Sequence, residues 1–379
     1  PVLNRMEWLR RNSNSGNLSN QNIKFHFSNQ MLSSLAKVIP AYLSNETSTS
    51  ELKANSWSFW SEGAVSVGKI GDTAASSAKN INTSAVTIGA DRRSNNNRMI
   101  GMAVRFGNDD IDIGNVKNSL DVNAVSLTLY GTRPYGEDKF IDSLIGIGTF
   151  KTDIVNAVGY GSTEGSRNGN QIFSSLKIRE TFKKNELNFT PKLKLDLGYT
   201  SLSAYSENGS TNLQFERQNI GTIITSIGGI VDNSSSLRNG TFKPYFEYDY
   251  FADISPSSEQ KLSYKSGSGP TYTLSNINSA THSFKSKLGF DFITYTGWNF
   301  TSSYQRTQSK GGGYSDALYF GAGYISSKDI EYTMSLDRNK VLLDYKRNIN
   351  GFDITFGSNY SLMSEIPEFA ANLEITNRF

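Results

Sequence analysis

The sequence predicts an all-β chain folded as a transmembrane antiparallel β-barrel, and three observations carry that reading. Long stretches alternate apolar and polar residues with a period of two. Aromatics make up 12% of the chain, with 19 Tyr and 22 Phe, while Pro numbers 8 and Cys 0. The connections between alternating stretches also switch between short and long, the plan of a barrel with tight turns on one side and long loops on the other.

The bulk numbers agree. Hydrophobic residues are 37% of the 379 and mean hydropathy is −0.43, as expected where every second strand residue faces a polar lumen. No apolar run approaches the ~18 residues of a membrane helix. A net charge of +3 is too small to imply nucleic acid. Two His and no Cys leave almost nothing for a zinc site or a thiol nucleophile, so no metal and no cofactor are expected. The chain starts at Pro1 without a signal peptide and is expected to be the C-terminal portion of a longer protein.

In chain order, residues 11–23 are rich in Asn and Ser and read as linker. "NQMLSSLAKVIPAY" follows, with Met31, Leu35, Val38 and Tyr42 at helical spacing. This predicts a short amphipathic helix ended or kinked at Pro40. Residues 44–55 form a polar connector. The expected division is a linker with helix over 1–55 and a barrel over 56–379.

From residue 57 the alternation is clean. "FTPKLKLDLGY" places Phe189, Leu193, Leu195, Leu197 and Tyr199 on one face and Lys192, Lys194 and Asp196 on the other. "FKPYFEYDY" sets Phe242, Phe246, Tyr248 and Tyr250 against Lys243, Glu247 and Asp249. "FKSKLGFDF" sets Phe284, Leu288, Phe290 and Phe292 against Lys285, Lys287 and Asp291. A period of two puts these sets on opposite sides of a sheet. A soluble sandwich alternates too. Aromatics near strand ends, such as Trp57, Phe59, Tyr248 and Tyr250, point instead to interfacial girdles. Long loops are expected over 70–81, 107–118, 155–170 and 254–279, with short turns at "RRSNNNR", "RPYGED", "KKNE" and "TYTG".

At this point the chain resembles the C-terminal translocator domain of autotransporters, the type V secretion proteins of Gram-negative bacteria. "WSFWSEG" resembles that family's opening strand. "IGADRRSNNNRMIGMAVRFG" is similar to its second and third strands, with Gly-x-Asp before a short turn and Gly-x-Ala after it. "FKPYFEYDY" and "KLGFDF" resemble later strands. The terminal "ANLEITNRF", with Leu373, Ile375 and Phe379 on one parity, resembles the signal read by the outer-membrane barrel assembly machinery. The resemblance implies twelve strands, with an amphipathic helix in the lumen linking an exported N-terminal passenger to the first strand. Counting alternating stretches to the C-terminus reaches sixteen, with the last strand closing against the first.

With the aromatic faces turned to lipid, the lumen collects Lys177, Arg179, Lys192, Lys194, Asp196, Glu247, Asp249, Lys285, Lys287 and Asp291. Charge is costly in lipid, so this face is wet or covered by the helix. Cross-strand ion pairing accounts for most of these residues one by one; the face as a whole reads as a hydrated conduit. Other chemical signals are weak. Gly159, Gly161 and Gly165 miss dinucleotide spacing. Asp110, Asp112 and Gly114 lack the downstream Glu of a calcium loop and read as a turn with solvated carboxylates. His26 and His282 have no nucleophile in a motif nearby, so no catalytic residues and no enzyme are expected. The function this supports is an integral outer-membrane barrel, monomeric, that anchors and translocates its own passenger and has outer-membrane lipid and the assembly machinery as partners. A passive-diffusion or solute-specific porin is the alternative.

Overall fold

The computed structural model describes residues 1–11, 21–27, 57–70, 78–93, 98–114, 118–158, 161–209, 213–265, 267, 269–276, 281–295, 298–310, 313–324, 330–336, 340–349, 352–361 and 369–377. They fall into two units. The larger is a closed ring of twelve antiparallel strands: β1 (Trp57–Ile70), β2 (Lys79–Arg93), β3 (Met99–Ile113), β4 (Asn118–Gly136), β5 (Lys139–Val158), β6 (Gly161–Glu180), β7 (Leu187–Leu202), β8 (Gln218–Asn233), β9 (Gly240–Asp253), β10 (His282–Thr294), β11 (Trp298–Ser309) and β12 (Tyr314–Tyr324). The ring closes where β12 pairs β1, from Ser61 opposite Ala322 to Lys69 opposite Tyr314. Closure leaves no backbone edge to face hydrocarbon.

Alternation sorts the two faces as the sequence implies. Leu193, Leu197, Ile227, Phe246, Leu288, Phe300 and Phe320 stand exposed on the outside, while Lys192, Glu247, Lys287 and Asp291 are buried inside. A greasy exterior around a charged interior inverts the soluble pattern and is stable only with hydrocarbon outside.

Two expectations about the connections change. The stretches at 107–118 and 155–170 are mostly strand, not loop. β3 runs to Ile113, and β5 and β6 are 20 residues each, with only residues 159 and 160 between them. A tilted strand crosses lipid in ~9–11 residues, so these hairpins project beyond the bilayer. There the alternation loses its apolar face, and side-chain ladders such as Asn108 Nδ2 donating to Asn123 Oδ1 (3.1 Å) replace burial. Asp110 and Asp112 therefore lie on strand β3 and not in a turn. The two longest connections fold into a four-stranded sheet of Tyr205–Ser206, Leu213–Phe215, Ser258–Tyr264 and Tyr272–Asn276. Tyr205 stacks on Phe215 at 4.5 Å in that sheet. Burial, with Glu207 next to it, pushes the Tyr205 phenol up to about 12, against the pull of Arg167.

The strand count is resolved by the second unit. Ile330–Leu336, Lys340–Ile349, Phe352–Ser361 and Phe369–Asn377, the four alternating stretches beyond the twelfth, form an antiparallel meander of their own. Gln21–Phe27 adds to it in parallel, opposite Ile330–Leu336. The expected closure of the ring by the final strand is thus corrected: β12 closes it. Leu373 and Ile375 lie in the edge strand of the separate sheet, and Phe379 lies outside the described residues. Alternation marks a strand but not its sheet, so both readings were open to the sequence.

Candidate functional site: a helix seated in the barrel lumen

One helix, α1 (Val2–Arg11), belongs to the barrel unit. The helix expected at Met31, Leu35 and Val38 lies outside the described residues. The α1 sequence, VLNRMEWLRR, carries Val2 and Met6 one turn apart and two arginines in its last turn. Those are ordinary helix signals, overlooked because ten residues beside a polar linker offer little periodicity to read.

Val2 and Met6 pack with Trp60, Met99, Ala103 and Tyr130 into a small apolar core. The motifs of the first three strands build its floor. The Trp60 indole donates to the Tyr130 hydroxyl at 2.7 Å, with the rings edge-on. Gly89 lies under the Trp60 ring and Gly101 under the Tyr130 ring; a Cβ at either would sit 2.5 or 2.4 Å from ring carbons. The glycines of Gly-x-Asp and Gly-x-Ala are thus where two aromatics lie flat on the wall.

The rest of the helix is held by charge, from three sides. Glu7 is clamped by Lys177 and by Arg179, whose Nη1 donates to Oε2 at 2.6 Å. Asp142 sits behind both cations, 3.3 Å from Lys177 and 3.0 Å from Arg179. Across the lumen the Arg11 guanidinium bridges both oxygens of Asp291, at 2.8 and 3.2 Å, and stacks over Tyr245 at 3.7 Å. Lys243 donates to the Arg11 carbonyl at 2.5 Å, a cation at the negative end of the helix dipole. Arg10 reaches Thr132 at 2.5 Å and lies over Phe140. Near the first turn, Asn4 donates to Glu62 at 2.9 Å and accepts from Lys287 at 2.6 Å.

The ten charged residues named from the sequence divide into two groups. Lys177, Arg179, Lys287 and Asp291 touch α1. Lys192 and Lys285 instead share Glu247 and Asp249, with contacts of 2.5–3.1 Å, and Lys194 pairs with Asp196 at 2.6 Å. Lys192, Lys194, Glu247, Asp249 and Lys285 of this second group border a cavity of about 390 Å³ beside the helix, with Phe251 and Tyr319 also in its wall. Sequence reading missed Asp142, Glu62 and the α1 residues that the lumenal charges meet. Asp142 had a signal, as a charge on strand β5 opposite the face of Ile141 and Ile145; the helix partners had none, because nothing local says what a lumenal charge meets.

The arrangement binds a short segment across the lumen and leaves an open space lined by charged residues next to it. Among the described residues no cluster of three metal-ligating side chains occurs.

Comparison with known proteins gives the same picture. A family model described as the autotransporter beta-domain matches residues 59–305. The chain is similar in fold to the translocator domain of the autotransporter NalP from Neisseria meningitidis, with 16% identity and a TM-score of 0.57 over 78% of this chain and 94% of that one. It is also similar to the beta domain of the Bordetella autotransporter BrkA, with 13% identity and a TM-score of 0.53 over 71% and 99%. No curated protein matches the chain in sequence.

Proposed function

The chain belongs to the autotransporter β-domain family, integral outer-membrane barrels that translocate an attached N-terminal passenger, and on that premise we propose that α1 is a seated plug. It is the last part of the translocated segment to enter the lumen, held there by the ring's charges. The observation that carries this is Glu7, buried between two cations whose one other carboxylate partner among the described residues is Asp142. Buried ion pairs are poor sources of net stability, yet breaking one by removing a partner costs about 3–5 kcal/mol. A lumen built this way tolerates an empty bore badly and a docked helix well. The unfolded passenger would cross through the same bore before the plug seats, past walls whose mixed charges offer no continuous apolar surface to stick to.

The exterior apolar rows are read as lipid contacts, and the assembly machinery as the partner that inserts the ring. Since β12 closes the ring, its edge is the place for that machinery to act. We assign the barrel no catalytic activity of its own. No observation favours the porin alternative. Planar-bilayer recordings test the plug: the chain lacking residues 1–11 is expected to conduct at least tenfold more than the intact chain. Equal conductance would remove the plug and leave a barrel blocked or open for other reasons.

A further inference from the structure

The outer wall carries charge at one end of its apolar face. Along β11 the exterior row reads Trp298, Phe300, Ser302, Tyr304 and Arg306. Arg306 is 43% exposed in its side chain and pairs with Asp316 on β12 at 3.0 Å, while the Tyr304 hydroxyl donates to the same carboxylate at 2.6 Å. The guanidinium also lies over the Tyr314 ring at 4.6 Å. Tyr314 is opposite Lys69 of β1 in the closing register, and Lys69 is exposed on that exterior parity. Lys310 follows β11, its amide N donating to the His282 carbonyl at 2.9 Å.

An Arg on the lipid face costs about 2–4 kcal/mol at the bilayer centre and about 0–1 near the interface, so this row has to mark the interface. The height agrees. Eight residues from Trp298 to Arg306, at a rise of ~3.3 Å and a tilt of ~40°, climb about 20 Å, close to the ~25 Å apolar band. Trp298 then marks one girdle and Arg306 with Tyr304 the other, on the side of the long connections and hence of the outer leaflet. Asp316 engages Nη1 of the guanidinium, and Tyr304 is hydrogen-bonded to the same cation. Lys69 and Lys310 add charge against the one carboxylate that Arg306 meets. Planar and point cations beside tyrosines at headgroup depth match a phosphate better than a zwitterionic headgroup.

We propose that the rim formed by Lys69, Arg306, Tyr314 and Lys310 binds the phosphate of an outer-leaflet lipid headgroup, a site that rests on the exterior being lipid-facing. The test uses the intact chain in nanodiscs. Native mass spectrometry counts retained lipid, with diphosphorylated lipid A, its dephosphorylated form and inorganic phosphate as separate probes. The intact protein is expected to retain lipid A at least fivefold more often than the dephosphorylated form, and Lys69→Gln with Arg306→Gln to abolish that preference. Lys69→Gln alone leaves the Arg306–Asp316 pair untouched and is expected to weaken retention about twofold to threefold, so a folding defect cannot mimic the result. Equal retention of both lipids by the intact protein overturns the site, as does undiminished preference in the double variant. Displacement of lipid A by millimolar inorganic phosphate overturns the lipid as the source of the anion. If the chain instead stays monodisperse without detergent or lipid, the membrane reading itself fails, a separate outcome.

Discussion

Two regions of one lumenal face use the same residue types to different ends. On the wall of β7, β9 and β10, Lys192 and Lys285 share Glu247 and Asp249: two cations, two anions, all from strands. On the wall of β5 and β6, Lys177 and Arg179 have, among the described residues, one strand carboxylate, Asp142, and one helix carboxylate, Glu7. The first set is complete without the helix, and the second is completed by it. Buried charge is stable only when matched, so the unmatched wall is the one that recognises a segment. The matched cluster of Lys192, Lys285, Glu247 and Asp249 holds strands in register, while Lys243, Lys287 and Asp291 on two of the same strands reach the helix.

The comparison breaks most visibly at Glu7. Glu7→Gln leaves two buried cations with one carboxylate, which should weaken docking of α1 by about 3 kcal/mol. In bilayer recordings the time spent in the open state should rise by at least tenfold, with barrel melting nearly unchanged. If melting falls and conductance does not, Glu7 is a strut and the two walls are alike. Next in size is Lys192→Met, which takes one of two cations from Glu247 and Asp249. Heat-modified migration on gels should show the barrel destabilised by about 2–3 kcal/mol with conductance steady. A rise in conductance there would mean that this cluster also holds the helix. Smallest is Lys194→Met. Lys194 and Asp196 are partly exposed on a single strand, and pairs in such a setting contribute about 0–1 kcal/mol. Melting within error of the parent chain is expected, and a large loss would extend the matched network to Asp196.

Much of this fold was readable without coordinates, and the failures share a cause. The faces of β7, β9 and β10 follow from parity, and the motifs around Trp60, Gly89 and Gly101 stand where three strands meet the helix. The charged positions were legible as lumenal, but their partners were not. Lys192 meets Glu247 across β8, 55 residues away, and Lys177 meets Glu7 at a separation of 170. The strand ends were misplaced at 107–118 and 155–170 because loss of the apolar face looks like loss of the strand. Outside the membrane, hydrogen bonding alone continues the ladder.

What the sequence settled by itself is the period: which residues point out, which point in, and that the outward set is apolar. Parity is fixed by neighbours two apart, so it needs no knowledge of the rest of the chain. What the tertiary structure decided is closure and occupancy. β12 rather than the terminal strand meets β1, and Val2–Arg11 is seated in the bore, because ring closure and charge matching depend on segments hundreds of residues apart arriving in one register.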